Sequence, residues 1–350
     1  MRPSHRGLVV GMVGATGMVG RELLRLLENR RFPVAQLLPF SSGRAGAAAR
    51  FRGRSLPAPA VDFLALSSCD IAFLVSSDEV ARTLAPRLAA AGVWTIDDSA
   101  AFRQDPRVPL VIPEVNAAAL RRDARLIAGP NCTMTGLAVA AGRLHREFGV
   151  REARVASYQA VSGAGKAALG ELFTQARALA RTKLLSDGRA PSLGPGRASA
   201  LPRAIAFNVV PQVGRLGADG YSGEENKVRD ELRKIWSAPR LRASVTAVRV
   251  PTIRGHALAA WLTLARPVSV ARARAILAKT PGLVLSEAGD YPTPRAAGGT
   301  DPVYAGRVRQ GTGPREIALW IVSDNLLKGA ALNSVQVAEE LLRRRWLVPR

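Results

Sequence analysis

Apolar residues in the first third of the chain come in short, nearly continuous runs separated by stretches of helical spacing. Residues 7–15 form one such run and predict a buried strand. A glycine-rich turn follows, then apolar positions at helical period through about Asn29. The runs at 34–39, 70–75 and 93–96 repeat the strand pattern, and 79–91 reads as a helix between the last two. A further run at 124–128 leads into an apolar helical pattern at 136–141. Strands alternating with helices predict a parallel sheet with right-handed crossovers.

The texture changes near Val150. Strand-like stretches at 155–161, 245–250, 256–264 and 317–323 are interleaved with helical ones at 166–181 and 270–278. Residues 186–199 are rich in Ser, Gly, Pro and Arg and predict a loop, and 252–255 read as a break. Together these predict an antiparallel sheet with flanking helices, an α+β domain. The expected organisation is an α/β domain over 1–133, an α+β domain over 134–329, and a last helix within 330–350 that packs back on the first.

The length of 350 residues suits two domains. No uncharged apolar run is long enough for a transmembrane helix, and the N-terminus lacks the apolar core and cleavage site of a signal peptide. Two cysteines without paired spacing argue against a disulfide framework, so a reducing, cytoplasmic setting is expected. The net charge of +23 raises the question of nucleic acid, but it comes from 44 arginines and only six lysines scattered over many segments. No aromatic-rich RNA signature or zinc-finger spacing accompanies them. Specific nucleic-acid binding is not expected, although the field attracts anionic ligands.

Three features carry candidate chemistry. The first is Cys132, in Gly129-Pro130-Asn131-Cys132-Thr133, between a strand-like run and a helical one. A thiol at a strand-to-helix turn meets the positive end of the helix, which favours thiolate over thiol. The second is Gly14-Ala15-Thr16-Gly17-Met18-Val19-Gly20, after the first strand. Glycines there let backbone N–H groups approach a pyrophosphate at a helix N-terminus. After the second strand come Ser41-Ser42-Gly43-Arg44, with a guanidinium and no acidic residue, which favours the 2′-phosphate of NADP over the ribose of NAD. The third is histidine. His5 lies in the N-terminal tail, His145 on a charged helix surface, and His256 at a strand–loop–strand junction. If the reaction needs an imidazole near a pKa of about 6.5, elimination points to His256. No cluster has metal-ligand spacing. A small buried cysteine filling space is the plain alternative for Cys132. Beside a nicotinamide fingerprint, a reactive thiol suggests attack on an aldehyde followed by hydride transfer.

These residues bring the chain to a known pattern. It resembles the aspartate-β-semialdehyde dehydrogenase family over nearly its whole length, through eight matches in order. They are the glycine-rich turn, Phe102-Arg103, Ile112-Pro113-Glu114-Val115-Asn116, Asn131-Cys132, the run from Tyr158-Gln159 to Gly165, Glu224-Glu225-Asn226-Lys227, Arg249 with His256, and Ser323-Asp324-Asn325 through Ala331. The resemblance implies a Rossmann-like, NADP-binding parallel-sheet N-terminal domain and an α+β catalytic and dimerisation domain. It implies Cys132 as nucleophile, His256 as acid/base and Gln159 as the group orienting the reacting thioester. By the same resemblance Arg249 binds the substrate carboxylate and Glu224 its amino group, while Arg103, Asn131 and Lys227 form the phosphate site. Gly14, Thr16, Gly17, Met18, Val19, Ser41, Arg44, Ser162, Gly163 and Asn325 resemble cofactor contacts. Helical spacing of Glu224 and Lys227 puts them on one face. Two positions depart from the usual pattern: Ala45 after Arg44 and Ala257 after His256, each where serine is common.

The implied reaction is reversible reductive dephosphorylation of L-4-aspartyl phosphate to L-aspartate 4-semialdehyde through a cysteine thioester. It would serve lysine, threonine and methionine synthesis, in a homodimer. The rivals are an N-acetylglutamyl-phosphate reductase, against which Glu224 argues, a CoA-thioester reductase, and a noncatalytic paralogue with a binding role.

Overall fold

The computed structural model describes residues 7–41, 47–180 and 200–350. The chain divides into two compact units, Met1–Val139 with Asp230–Pro239 and Leu326–Arg350, and Ala140–Arg229 with Arg240–Asn325. The segment Asp230–Pro239 lies inside the stretch read from sequence as the second domain but groups with the first unit.

In the first unit, β1 (Leu8–Val13) leads into α1 (Met18–Asn29), and β2 (Val34–Phe40) follows. An antiparallel hairpin of β3 (Ala48–Phe51) and β4 (Arg54–Pro57) precedes the short helix α2 (Phe63–Ser67). Then come β5 (Ile71–Leu74), α3 (Asp78–Ala90), β6 (Trp94–Asp97), the single turn α4 (Pro113–Asn116) and β7 (Leu126–Ala128). The sheet order is β2-β1-β5-β6-β7 and every pairing is parallel. A parallel sheet is covered on both faces, which is why β5 and β6 are buried at every position and β5 reads as an unbroken apolar run. On α1, Leu23, Leu24, Leu26 and Leu27 are buried while Arg21 and Arg25 face solvent. Each such leucine contributes about 1.5–3 kcal/mol.

The chain's last segments complete this unit. A π-helical turn, Leu327–Ala331, continues into the helix Leu332–Arg343, whose Leu332, Val335, Ala338 and Leu341 join the leucines of α1 in one core. Arg30 grips Glu339 in a two-pronged ion pair at 2.7 and 2.8 Å. The Trp94 indole N–H donates to the Trp346 carbonyl at 3.1 Å. Lys328, 2 % exposed, donates from Nζ to Glu114 (2.6 Å), Gln336 (2.6 Å) and Asn333 (3.1 Å).

Helix α5 (Cys132–Phe148) starts in the first unit and ends in the second. The second unit continues with β8 (Val150–Gln159), a 3₁₀ turn Val161–Ala164 and α6 (Gly165–Ala180). Helix α7 (Gly223–Ile235), β9 (Arg242–Arg249), β10 (His256–Leu264) and α8 (Val270–Leu277) follow. The last elements of the unit are β11 (Leu283–Leu285), α9 (Pro294–Ala297), β12 (Val303–Gln310) and β13 (Glu316–Ser323). The six-stranded sheet has the order β11-β12-β13-β10-β8-β9. It is mixed, not antiparallel throughout as the sequence suggests: β8 pairs with β9 in parallel, as does β11 with β12. The chain between β8 and β9 carries α6 and all of α7, ample length for the crossover that a parallel pair requires. The loop expected at 186–199 lies outside the described residues. Among the described residues no helix is long and apolar enough to cross a membrane.

Candidate active site

In the first unit, Cys132 is the first residue of α5 and is partly exposed. Asn131 caps the helix: its Oδ1 accepts from the N–H groups of Thr133 (2.9 Å) and Met134 (3.1 Å). Its own N–H donates to Oε2 of Glu231 at 2.6 Å. The other oxygen of Glu231 accepts from Arg103 Nη1 at 3.0 Å, and Arg103 Nη2 donates to the Asp98 carbonyl at 2.8 Å. Arg103, Asn131 and Cys132 are thus brought together around one buried carboxylate. Burial works against the Arg103 charge, but Glu231 more than offsets it, with help from Cys132 and Asp98, and the guanidinium is held above its ordinary pKa. Cys69, the other cysteine, is fully buried, and burial with the neighbouring Asp70 pushes its thiol up to about 12.

The β1–α1 turn holds Gly14, Thr16 and Gly17, and Met18 and Val19 open α1. Gly14 has φ +84°, and a Cβ there would collide with the Val75 carbonyl oxygen. Helix α1 follows the N-cap Gly17, with no side-chain cap and no acidic residue in its first turn. Helix α3, by contrast, is capped by Ser77 and carries Asp78 and Glu79 there. An N-terminus left without a protein acceptor is suited to a pyrophosphate. Ser41 is buried just beyond β2. Arg44, with Ser42, Gly43 and Ala45, lies outside the described residues.

In the second unit the remaining residues converge on the ends of β8, β9 and β10. The Ala160 main chain ties two of them together. Its carbonyl accepts from Arg249 Nη1 at 2.8 Å, and its N–H donates to Nδ1 of His256 at 3.1 Å. With Nδ1 accepting, the ring proton sits on Nε2, which is buried without a hydrogen-bond partner. Burial first, then the Arg249 charge, pushes His256 down to about 3, and the Gly255 backbone only partly opposes this. The ring is therefore neutral at physiological pH, unlike the ordinary imidazole assumed from sequence. Gly163 lies against both side chains: a Cβ there would stand 2.8 Å from Arg249 Nη1 and 3.2 Å from His256 Nε2. Gln159 Nε2 donates to Glu224 at 3.3 Å and to Ser157 Oγ at 3.2 Å. Asn325 Nδ2 donates to Ser162 Oγ at 3.0 Å, and its Oδ1 accepts from the Gly255 N–H at 2.9 Å, fixing the approach to His256. Lys227 is half-buried on α7, and its ammonium makes no hydrogen bond or ion pair among the described residues.

The sequence profiles of two domains match this chain: the semialdehyde dehydrogenase NAD binding domain at residues 9–122 and the semialdehyde dehydrogenase dimerisation domain at 142–328. The aspartate-semialdehyde dehydrogenase of Synechocystis is 40% identical over 343 residues, 97% of this chain and 98% of the relative. That of Streptomyces akiyoshiensis is 42% identical over 338 residues, 94% and 97% of the two chains. The chain belongs to the aspartate-semialdehyde dehydrogenase family. Among solved members, aspartate semialdehyde dehydrogenase II from Vibrio cholerae superposes with a TM-score of 0.88 at 38% identity, covering 97% of this chain and 99% of that one. The same Vibrio cholerae enzyme complexed with ASA gives 0.87 at 37% identity, with the same coverage.

Sequence reading passed over two residues of this family member's first-unit cluster. Glu231, fully buried, touches both Arg103 and Asn131. Lys234 donates from Nζ to the carbonyls of Arg103 (2.8 Å), Asp105 (2.7 Å) and Val108 (2.9 Å). Glu224, Lys227, Glu231 and Lys234 fall at i, i+3, i+7 and i+10 on α7, one helical stripe. Extending the Glu224–Lys227 pair along that stripe would have found both.

Proposed function

We propose that this chain is an NADP-dependent acylating dehydrogenase that reversibly converts L-4-aspartyl phosphate to L-aspartate 4-semialdehyde and phosphate. We place it in the cytoplasm as a homodimer serving lysine, threonine and methionine synthesis. The observation that carries the reading is Cys132 at the N-terminus of α5, partly exposed, with the Arg103 charge and the Asn131 cap beside it. Relatives at about 40% identity over nearly the whole chain bear that enzyme's name.

Cys132 Sγ attacks the acyl carbon and the carbon–oxygen bond to phosphate breaks, leaving a thioester. Arg103, Asn131 and Lys227 receive the departing phosphate, Arg249 binds the substrate carboxylate and Glu224 its ammonium group. Glu224 also holds Gln159, which orients the thioester. The uncapped start of α1 and the crowded Gly14 fit a dinucleotide pyrophosphate. Gly14, Thr16, Gly17, Met18 and Val19 would hold it, with Ser41 and Arg44 at the adenosine 2′-phosphate and Ser162, Gly163 and Asn325 at the nicotinamide end. That cofactor, when bound, supplies the hydride for reduction of the thioester carbon. His256 keeps its proton on Nε2 and donates a hydrogen bond to the carbonyl-derived oxygen. Collapse of the resulting oxyanion returns thiolate and releases the aldehyde, so no net proton transfer is required of the ring.

The test is an assay with aspartate semialdehyde, phosphate and NADP, run on the wild type, Cys132→Ala and Cys69→Ala. Phosphate-dependent formation of NADPH is expected in the wild type, with most of it retained in Cys69→Ala and none in Cys132→Ala. A wild type that reduces NADP only with an N-acetylated semialdehyde or with CoA, or equal loss in both variants, would refute the reading.

A further inference from the structure

Glu231 has no role in the reaction as set out above, yet it is the most completely buried acid in the first-unit cluster. It is 0 % exposed, and Arg103 is 8 % exposed. Each carboxylate oxygen serves a different element. Oε1 takes Arg103 Nη1, on the loop after β6, and Oε2 takes the N–H of Asn131, the residue before Cys132. Lys234, one turn further along α7, fastens the same Arg103 loop through three carbonyls. With Nη1 on Glu231 and Nη2 on the Asp98 carbonyl, the Arg103 plane is fixed, and its buried Nε–H is left without a partner. A guanidinium locked on one edge presents a defined donor to an anion.

We infer that Glu231 is a positioning residue, whose single carboxylate sets the anion-binding arginine and the nucleophile turn at a fixed distance from each other. The inference rests on the proposed roles of Cys132 and Arg103. Only an ionised carboxyl satisfies both partners, since each brings an N–H and each needs an acceptor. Glu231→Gln keeps the shape but must turn its NH₂ towards one of the two donors. Glu231→Asp keeps the charge but is one methylene short of spanning both.

Phosphate bound at Arg103 should shield Cys132 from iodoacetamide. Both variants are compared with the wild type in the phosphorolytic assay and in alkylation of Cys132 with and without inorganic phosphate. Glu231→Gln is expected to lower kcat about 100-fold, the size of effect that a misplacement of about 1 Å produces. It is also expected to raise KM for phosphate at least about tenfold while KM for the semialdehyde stays within about twofold, since a lost charge-assisted hydrogen bond acts only on the anion. Phosphate should no longer slow alkylation in either variant. A merely structural role would move both KM values together, or neither. If Glu231→Gln does not fold, Glu231→Asp decides alone: wild-type KM for phosphate and intact phosphate protection would overturn the inference. Were the wild type inactive with aspartate semialdehyde, the proposed function would fail. The alkylation experiment would still read Glu231 through phosphate protection of Cys132.

Discussion

Asp98 shows how a single buried charge sets a pH dependence. It follows β6 directly, its Oδ1 accepts from Ser334 Oγ at 2.5 Å, and its Oδ2 is buried with no partner. Burial raises its carboxyl to about 6, the Ser334 bond opposes this, and the nearby Asp97 adds to it. Unfolded, the group loses its proton near 3.8. Between these values the folded state keeps a proton that the unfolded state has released. Its contribution is therefore fully present below the unfolded value, is lost as pH rises through the folded one, and stays lost above it. Asp98→Asn keeps an acceptor for Ser334 and removes the charge. The variant's Tm relative to wild type is expected to rise between about pH 4 and about pH 8, with an upper limit on the order of 3 kcal/mol. Unfolding curves at several pH values would check this, and a Tm difference independent of pH would contradict it. His256 is the opposite case. Its depressed value of about 3 leaves the folded ring neutral through the ordinary imidazole range, so stability is lost as pH falls from about 6.5 towards about 3.

Elements differ in how plainly the sequence announces them. The strands β1 and β5 are legible because a parallel strand covered on both faces is apolar at nearly every position. The turn at Cys132 is legible because a strand-like run leads straight into an apolar helical pattern. The pairing of β8 with β9 is not, since strand direction depends on the route of the chain between them. Glu231 and Lys234 are hidden for a similar reason: they sit on a strongly polar helix that reads as a solvent face, and their burial is decided by Arg103, 128 residues away from Glu231. Lys328 is likewise a charge whose partner, Glu114, lies 214 residues away. It anchors the π-helical turn whose Gly329 abuts Cys132, where a Cβ would stand 2.8 Å from the cysteine Cβ. Lys328→Met should strand the Glu114 carboxylate and cost about 3–5 kcal/mol, whereas adding Glu114→Gln should recover part of that loss. Urea denaturation of the single and double variants measures the coupling. Strictly additive losses would show that the ion pair does not hold the turn.

On the scale of the whole molecule, the net charge of +23 favours anionic cofactors and substrates without selecting among them. Association is a matter of apolar surface instead, and that surface is unevenly shared. The second unit exposes Tyr158, Phe173, Phe207, Val209, Ile253 and Tyr291, while the first exposes only Val61, Leu64 and Val348 among its described large apolar residues. Aromatic residues left in water mark contact surfaces more often than chance exposure does. Phe207 is the most telling, being 77 % exposed with its backbone held at φ +55°. For a bulky residue that conformation costs about 1–2 kcal/mol, and nothing inside the unit repays it by burying the ring. The profile that matches residues 142–328 is that of a dimerisation domain. The homodimer proposed above, formed through the second unit, would account for both the exposed aromatics and the strained position. Phe207→Asp places a charge where the ring would be covered and is expected to weaken the dimer by at least about tenfold in Kd, the cost of losing roughly 1.4 kcal/mol. Light scattering on a dilution series should give twice the chain mass for the wild type and an earlier fall towards the single-chain mass for the variant. A wild type that is monomeric throughout, or a variant with an unchanged midpoint, would remove Phe207 and its neighbours from the interface.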